Sequence, residues 1–175
     1  MSRALFFIVA ACATAQAGLL KGVDPILTPE LLHVLRSMGH GDKLVIADVN
    51  FPAAEVATKT TSGKNIFLAG VDLPRALEAI CSLLPIDYFV DAPAGHMAPQ
   101  VGGTMPAAGE EVIASAAEVV GRHAAGITLQ PIERFEFYDV ARTAFAVVQT
   151  MERRPYGNVV LTKGVVGPDG KDLMP

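Results

Sequence analysis

The chain has 175 residues, of which 51% are hydrophobic and 18% charged, and its formal net charge at pH 7 is -4. This length and apolar content predict one globular domain with a buried core, and they exclude an intrinsically disordered chain. Lysine and arginine are scattered along the chain, so the sequence does not indicate a basic surface of the kind that binds nucleic acid.

The first 17 residues have the layout of a secretory signal peptide. Arg3 precedes an apolar run from Ala4 to Ala15, and small residues typical of a cleavage site follow. The run is too short for a comfortable membrane span. An ordinary apolar N-terminal extension is the alternative. Cleavage after Ala17 would remove Cys12 and leave Cys81 as the only cysteine, which excludes an internal disulfide bond.

The first predicted elements after this segment are a helix and a buried strand. Thr28 and Pro29 are typical of a helix N-terminus, and Gly39 is predicted to end the helix in the left-handed conformation. Residues 44–47 form a continuous apolar run between charged residues, which indicates a strand that is buried on both faces.

Strands and helices alternate through the rest of the chain. The predicted segments are a loop at 53–64, a strand at 65–69, a helix capped by Asp72 and stopped by Pro85, a strand at 88–90, a loop or flap at 93–109, a helix at 110–123, an extended segment at 126–134, one or two helical turns at 137–143, and strands at 145–150 and 158–162. This alternation predicts the α/β class: a single layered domain with a central, mostly parallel sheet. The last two strands are predicted to form a C-terminal β-hairpin.

His40 and Asp48 are the first candidates for chemistry. An imidazole both gives and takes a proton near neutral pH, and glycines on either side of His40 let a ligand approach the backbone. Carboxylates at strand ends in α/β sheets often face ligand crevices, as Asp48 would. The ordinary alternatives are a surface histidine and a strand-end cap. The two residues lie at opposite ends of one strand, so they could share a pocket only if another copy or chain completes it.

Two later segments carry hydrogen-bonding side chains. Arg134 lies in the aromatic and charged segment 133–138, which in an extended form would put Arg134 and Tyr138 on one face. The guanidinium of Arg134 can clamp hydroxyl groups, or form an exposed ion pair with a neighbouring glutamate. Tyr156-Gly157-Asn158 combines side chains typical of sugar binding with a glycine that permits close backbone approach, although an ordinary turn is the alternative.

Several motifs are absent from the sequence. The four histidines show no metal-ligand spacing, and neither a nucleotide-binding glycine loop nor a hydrolase nucleophile motif occurs. The sequence therefore demands no cofactor and no metal. The residues alone indicate a polar ligand and one acid/base histidine, without naming a reaction.

Separate motifs spread over residues 19–166 together resemble the ribose pyranase and fucose mutarotase (RbsD/FucU) family, in its L-fucose mutarotase branch. They are residues 20–25, the Met38-Gly39-His40-Gly41-Asp42 turn, residues 47–52, 134–138 and 144–148, Tyr156-Gly157-Asn158, and residues 163–165. Residues 93–109 match the family poorly, and residues 1–17 precede its usual start.

The resemblance implies a cofactor-free isomerase that interconverts the α and β anomers of free L-fucose. The alternatives are a pyranase for ribose or another sugar, and a monosaccharide-binding module without catalysis. The resemblance implies His40 as the proton donor. It further implies that the sugar is bound by Asp48, Arg134, Tyr156, Gly157 and Asn158. For the base that works with His40, the candidates are Tyr138, Tyr156 and Asp48, and Phe51 is a candidate surface for the methyl group.

The resemblance also implies how the chain is organised and assembled. It implies a ring-shaped homo-oligomer with sites at subunit interfaces, and a mutarotase domain at 19–166 followed by a tail at 167–175. Neither nucleic acid nor a membrane is expected as a partner of the mature chain. A real signal peptide predicts a secreted or secretory-pathway protein, whereas a cytoplasmic location is usual for the family.

Overall fold

The computed structural model describes residues 19–175, so the predicted signal peptide at residues 1–17 lies outside the described residues. Helices and strands alternate along the described chain. The helices are α1 (Pro29–Ser37), α2 (Ala53–Ala57), α3 (Leu73–Cys81), α4 (Ala107–His123) and α5 (Arg134–Arg142), and the strands are β1 (Lys43–Ala47), β2 (Asn65–Phe67), β3 (Ala94–Ala98), β4 (Gln130–Glu133), β5 (Ala146–Gln149) and β6 (Val159–Thr162). No helix within 19–175 is long and apolar enough to cross a bilayer.

The six strands form one mixed sheet in the order β2-β5-β1-β6-β3-β4. The pairs β2–β5, β5–β1 and β3–β4 are parallel, and β6 runs antiparallel between β1 and β3. The predicted α/β class with a mostly parallel sheet is therefore confirmed. The predicted C-terminal β-hairpin is wrong, because β1 lies between β5 and β6.

The sheet is covered on both faces, which explains the continuous apolar run of β1. Leu44 and Ile46 face a core formed with α1, α3 and α4, whereas Val45 and Ala47 face a second core formed with α2 and α5. Side chains alternate between the faces because successive residues of a strand point in opposite directions. β1 thus contributes side chains to both cores, as β5 and β6 also do.

The ends of α1 show which local predictions succeed. The Thr28 hydroxyl accepts a hydrogen bond from the backbone N–H of Leu31, which confirms the predicted cap. The predicted left-handed end at Gly39 is wrong: α1 ends at Ser37, and Gly41 has the positive φ of 85°. The Asp42 carboxylate accepts from the Gly39 N–H at 2.7 Å, so a side chain closes this turn without a left-handed glycine at position 39.

Two predicted loops contain regular structure. Segment 53–64 begins with α2, and segment 93–109 contains β3, an interior strand between β6 and β4. β3 lacks β-branched residues, but its Gly95 lets it lie close to Ile132 of β4, where a Cβ would come within 2.5 Å. Sheet pairing therefore overrides propensity here. The predicted strand at 88–90 is wrong, because the Asp87 carboxylate accepts from the Phe89 N–H and turns the chain.

Val148 tests the core between the sheet and α3. Its side chain is fully buried on β5, so Val148→Ala should lower the free energy of unfolding by about 2 kcal/mol through lost burial and an unfilled cavity. Urea denaturation at fixed protein concentration measures the change. The matched control is Val101→Ala, at a fully exposed position, which should change stability by less than about 0.5 kcal/mol. Equal effects of the two substitutions would contradict this description of the core.

Candidate functional site

A polar cavity of about 180 Å³ lies beyond the carboxyl end of β1. Its walls come from the ends of β1, β3 and β6 and from α5. The lining residues are Asp48, Asn50, Phe51, Met97, Arg134, Tyr138, Pro155, Tyr156 and Asn158. Two larger cavities border α1, but their walls are mainly leucine, valine and proline. Only the first of these three brings together carboxylate, guanidinium, phenol and amide groups, which can form hydrogen bonds with a hydroxylated ligand.

Asp48 and Asn158 form a reciprocal hydrogen-bonded pair at the base of this cavity. The Asp48 N–H donates to Asn158 Oδ1 at 3.0 Å, and Asn158 Nδ2 donates to Asp48 Oδ2 at 2.9 Å. The other carboxylate oxygen of Asp48 accepts from the N–H groups of Asn50 and Phe51, each at 2.9 Å. Asp48 therefore caps the turn at the end of its strand, which was the alternative to a ligand-facing role, and it also lines the cavity.

The environment of Asp48 acts on its ionisation in two directions. Burial raises the pKa of Asp48 above its usual value, and the negative charge of Glu152 adds to this effect. Hydrogen bonds from Asn50, Asn158 and Phe51 favour the carboxylate and lower the pKa, but they do not cancel the desolvation. The structure thus holds a carboxyl group that ionises less readily than an exposed one.

Arg134 and Tyr138 reach the cavity from one face of α5. The extended form of 133–138 is wrong: the Glu133 carboxylate accepts from the N–H groups of Phe135 and Glu136 and starts a helix at Arg134. Residues four apart on a helix share a face, so Arg134 and Tyr138 still point the same way. The rings of Tyr138 and Phe51 pack with centroids 5.5 Å apart and form an aromatic wall.

The Arg134 guanidinium has unused donor capacity. Within the described chain its Nε is buried without a hydrogen-bond partner, and Arg134 forms no ion pair. Its Nη2 donates to Gln100 at 3.4 Å, and the guanidinium lies 4.8 Å from the centroid of the Phe135 ring. A buried donor without a partner is costly, so this group is suited to bind an oxygen of a ligand.

The turn before β6 places Tyr156 in a strained conformation. Among residues 19–175, Tyr156 is the one residue other than glycine with a positive φ, 64°, which costs roughly 1–2 kcal/mol. At Gly157 a Cβ would lie 2.8 Å from the Glu152 side chain and 3.2 Å from the Arg154 carbonyl oxygen, so this position requires glycine. The segment is therefore more constrained than an ordinary turn.

His40 does not line this cavity. It lies before β1, at the end of the strand opposite Asp48, and its side chain is 51% exposed. Its Nε2 is 3.0 Å from Asp87 Oδ2, and the Asp87 side chain is 1% exposed. The turn itself is held by Lys163, whose Nζ donates to the Met38 carbonyl at 2.6 Å. The result is an exposed imidazole that a buried carboxylate orients. The contact with Asp87 uses only Nε2, so Nδ1 takes no part in it.

Sequence reasoning missed Asp87 and Met97. Asp87 lies between the helix end predicted at Pro85 and the strand predicted at 88–90, and its only signal is an acidic side chain between the apolar Ile86 and the aromatic Tyr88. Met97 lies in the segment predicted as a flap, although it lines the cavity. His123 pairs with Glu78 at 2.9 Å between α4 and α3, away from the cavity. Residues 19–175 contain no group of three or more His, Cys, Asp or Glu side chains able to hold a metal ion.

The chain is similar to known proteins over most of its length. The model of the RbsD / FucU transport protein family matches residues 21–166. Fucose mutarotase from Homo sapiens is 42% identical over 147 residues, which are 84% of this chain and 94% of that protein. L-fucose mutarotase from Actinobacillus pleuropneumoniae serotype 5b is 40% identical over 148 residues, 84% of this chain and 97% of that protein.

A similar solved structure holds a sugar. The crystal structure of the fucose mutarotase from Streptococcus pneumoniae in complex with L-fucose is 32% identical in sequence and has a TM-score of 0.72. The match covers 85% of this chain and 100% of that one.

Asn158→Ala tests the pair that anchors the cavity. The substitution leaves the Asp48 N–H without its acceptor and removes a donor to the carboxylate, so stability should fall by about 1–3 kcal/mol. The lost donor also raises the pKa of Asp48 further, because the hydrogen bond from Asn158 favours the charged form. The difference in stability from the wild type should therefore widen as the pH rises from about 3 to about 7.

The sign of this pH effect follows from the direction of the Asp48 shift. A carboxyl group whose folded pKa is raised contributes stability at low pH and loses it as the pH rises through the folded pKa. Asn158→Ala enlarges that loss. Urea denaturation across the pH range measures it, and Asn65→Ala, which removes a hydrogen bond to Gln149 at the sheet edge, is the control. A pH-independent difference for Asn158→Ala would contradict the link to Asp48.

Proposed function

This chain belongs to the RbsD/FucU family, and we propose that it is an L-fucose mutarotase, an isomerase that interconverts the α and β anomers of the free sugar. The observation that carries the proposal is a cavity of monosaccharide size that joins Asp48, Arg134 and Tyr156 in a chain about 40% identical to fucose mutarotases. The similar structure that contains L-fucose supports the same substrate.

The groups that line the cavity suit a deoxy sugar. The Asp48 carboxylate accepts hydrogen bonds from hydroxyl groups, and the Arg134 guanidinium and Tyr156 phenol donate them. Asn158 contributes mainly by fixing Asp48, since its amide is already bonded to that residue. The aromatic wall of Phe51 and Tyr138 offers an apolar surface to the methyl group of the sugar.

Mutarotation requires only proton transfers and a rotation. A base takes the proton of the anomeric hydroxyl while an acid protonates the ring oxygen, and the bond between C1 and the ring oxygen breaks. The aldehyde formed rotates about its bond to C2. The hydroxyl group that contains the former ring oxygen then attacks the other face of the carbonyl carbon, and the proton transfers run in reverse. Atoms and electrons balance without a co-reactant. Positioned acid and base groups contribute roughly 10²–10⁴-fold to such a step.

We assign His40 as the proton donor, and it must reach the cavity from a second subunit because it does not line the cavity of its own chain. His40 and Asp48 lie at opposite ends of β1, whose five residues span roughly 17 Å. The exposed imidazole of His40 is oriented by Asp87, and its ring lies 6.1 Å from that of the half-exposed Phe89, so this surface suits a contact with another copy of the chain. The proposed assembly is a homo-oligomer in which His40 of one subunit completes the cavity of its neighbour. The partner of His40 in proton transfer is then Tyr138, Tyr156 or Asp48, all of which line the cavity.

His40→Ala tests the enzymatic assignment. Saturation-transfer NMR on the anomeric protons of L-fucose should show accelerated exchange with the wild type, at least tenfold slower exchange with His40→Ala, and weaker acceleration of D-ribose under the same conditions. His33→Ala, at an exposed histidine on α1, is the matched control and should retain activity. Broadening of sugar lines without any exchange by the wild type would instead indicate a binding protein.

Subunit mixing tests the shared site. His40→Ala and Tyr156→Ala chains should each lose most of their activity when expressed alone. When they are coexpressed, about a quarter of the sites in a random mixture contain an intact His40 and an intact cavity from different subunits. Activity should therefore reappear in the mixed oligomer and be absent when separately purified variants are combined without subunit exchange. Lack of recovery in verified mixed oligomers would contradict the contribution of His40 across an interface.

A further inference from the structure

Glu152 is a buried carboxylate in the segment between β5 and β6, and it does not line the cavity. Four N–H groups surround it. Its Oε1 accepts from the backbone N–H and Nε of Arg154 at 2.9 and 2.8 Å, and its Oε2 accepts from Arg154 Nη2 at 2.7 Å and from the Leu73 N–H at 3.3 Å. Burial alone would raise the pKa of Glu152, but these hydrogen bonds outweigh it and hold the pKa below its usual value.

The same residue connects its segment to β1 and to α3. The Glu152 carbonyl accepts from the Val49 N–H at 2.9 Å, directly after Asp48. Its N–H donates to the Thr150 hydroxyl, which in turn donates to the Ala47 carbonyl. The hydrogen bond from Leu73 adds the first residue of α3. Glu152 thus lies at a junction of three elements, next to the end of β1 that carries Asp48.

The turn that carries Tyr156 packs directly against Glu152. Gly157 is so close to the Glu152 Cγ that a Cβ would lie only 2.8 Å away. On the other side, a Cβ at Gly109 would lie 2.9 Å from the Pro155 carbonyl oxygen, so the start of α4 also confines the turn. A left-handed tyrosine persists only where its surroundings over-determine it, and Glu152 with Arg154 supplies the polar part of that constraint.

From this arrangement we infer that Glu152 is a positioning residue of the sugar site, which acts through Arg154 and the Tyr156 turn without touching the substrate. The inference rests on the proposed function, because it assigns Glu152 the task of holding the Tyr156 phenol where the sugar binds. It differs from a general contribution to folding, since its effect on activity must pass through Tyr156.

A double-mutant cycle between Glu152 and Tyr156 tests this inference. Glu152→Gln keeps the shape of the side chain but turns an amide N–H₂ toward N–H donors that need an acceptor, so the turn should shift. We expect kcat/KM for L-fucose exchange to fall about 10- to 100-fold, with a raised KM, because small displacements of positioning groups have effects of this size. In a Tyr156→Phe background the same substitution should cost less than about threefold, since the phenol that it positions is already absent.

Two further variants control the cycle. Glu78→Gln removes a carboxylate that accepts from Arg122 and His123 between α3 and α4, outside the cavity, and should leave kcat/KM unchanged in both backgrounds. Arg154→Ala acts at a more exposed position and leaves Glu152 its two backbone donors. Arg154→Ala should also lower kcat/KM less in the Tyr156→Phe background than in the wild type, although both losses should be smaller than those of Glu152→Gln. If Glu152→Gln does not fold, the cycle is measured with Arg154→Ala in its place. Thermal unfolding of every variant separates stability from activity.

The outcomes distinguish the two proposals. Equal fold-losses in the wild-type and Tyr156→Phe backgrounds, or no loss at all, would overturn the positioning role of Glu152. If the wild type accelerates no anomer exchange, the mutarotase assignment fails by itself. The cycle is then measured as the dissociation constant for L-fucose from NMR line broadening, where a non-additive loss still supports the role of Glu152 and an additive one overturns it.

Discussion

The reciprocal hydrogen bonds between Asp48 and Asn158 connect the carboxyl end of β1 with the beginning of β6, and the rest of the site is arranged around them. Both partners are almost fully buried, so each must satisfy the polar groups of the other. The pair fixes where β6 enters the sheet and therefore where the preceding Tyr156 turn lies. A displacement of either strand would separate the carboxylate from the aromatic and cationic groups that share its cavity.

Two buried carboxyl groups near this junction have opposite properties. Burial raises the pKa of Asp48, which lines the cavity, whereas the hydrogen bonds of Arg154 and Leu73 keep the pKa of Glu152 low. A group facing a ligand retains the capacity to change its hydrogen bonding or its charge, while a group fully paired inside the protein is fixed. The difference comes from the guanidinium of Arg154, which gives Glu152 charged hydrogen bonds and an attractive charge, whereas the donors around Asp48 are neutral and the nearby charge of Glu152 is repulsive. It agrees with a binding role for Asp48 and a positioning role for Glu152.

The position of β1 also explains why one chain supplies only part of the proposed catalytic machinery. A buried strand cannot bring its two ends to one place, so the imidazole before β1 and the carboxylate after it face different surfaces. Asp87 nevertheless orients His40 through one contact of 3.0 Å, whereas two hydrogen bonds join Asn158 to Asp48. In the proposed homo-oligomer, the exposed and oriented imidazole of His40 would complete the cavity of a second copy.

By itself the sequence determined the α/β class, the caps at Thr28 and Asp72, the buried strand at 44–47 and the polar residues that line the cavity. Caps depend on contacts within about three residues, and buried strands on apolar runs, so both can be recognised locally. Only the tertiary structure decided that segment 93–109 contains an interior strand, that β6 lies between β1 and β3, and that Asp87 holds His40. These features depend on pairing between distant segments, which overrides local propensity and leaves little trace in the nearby residues.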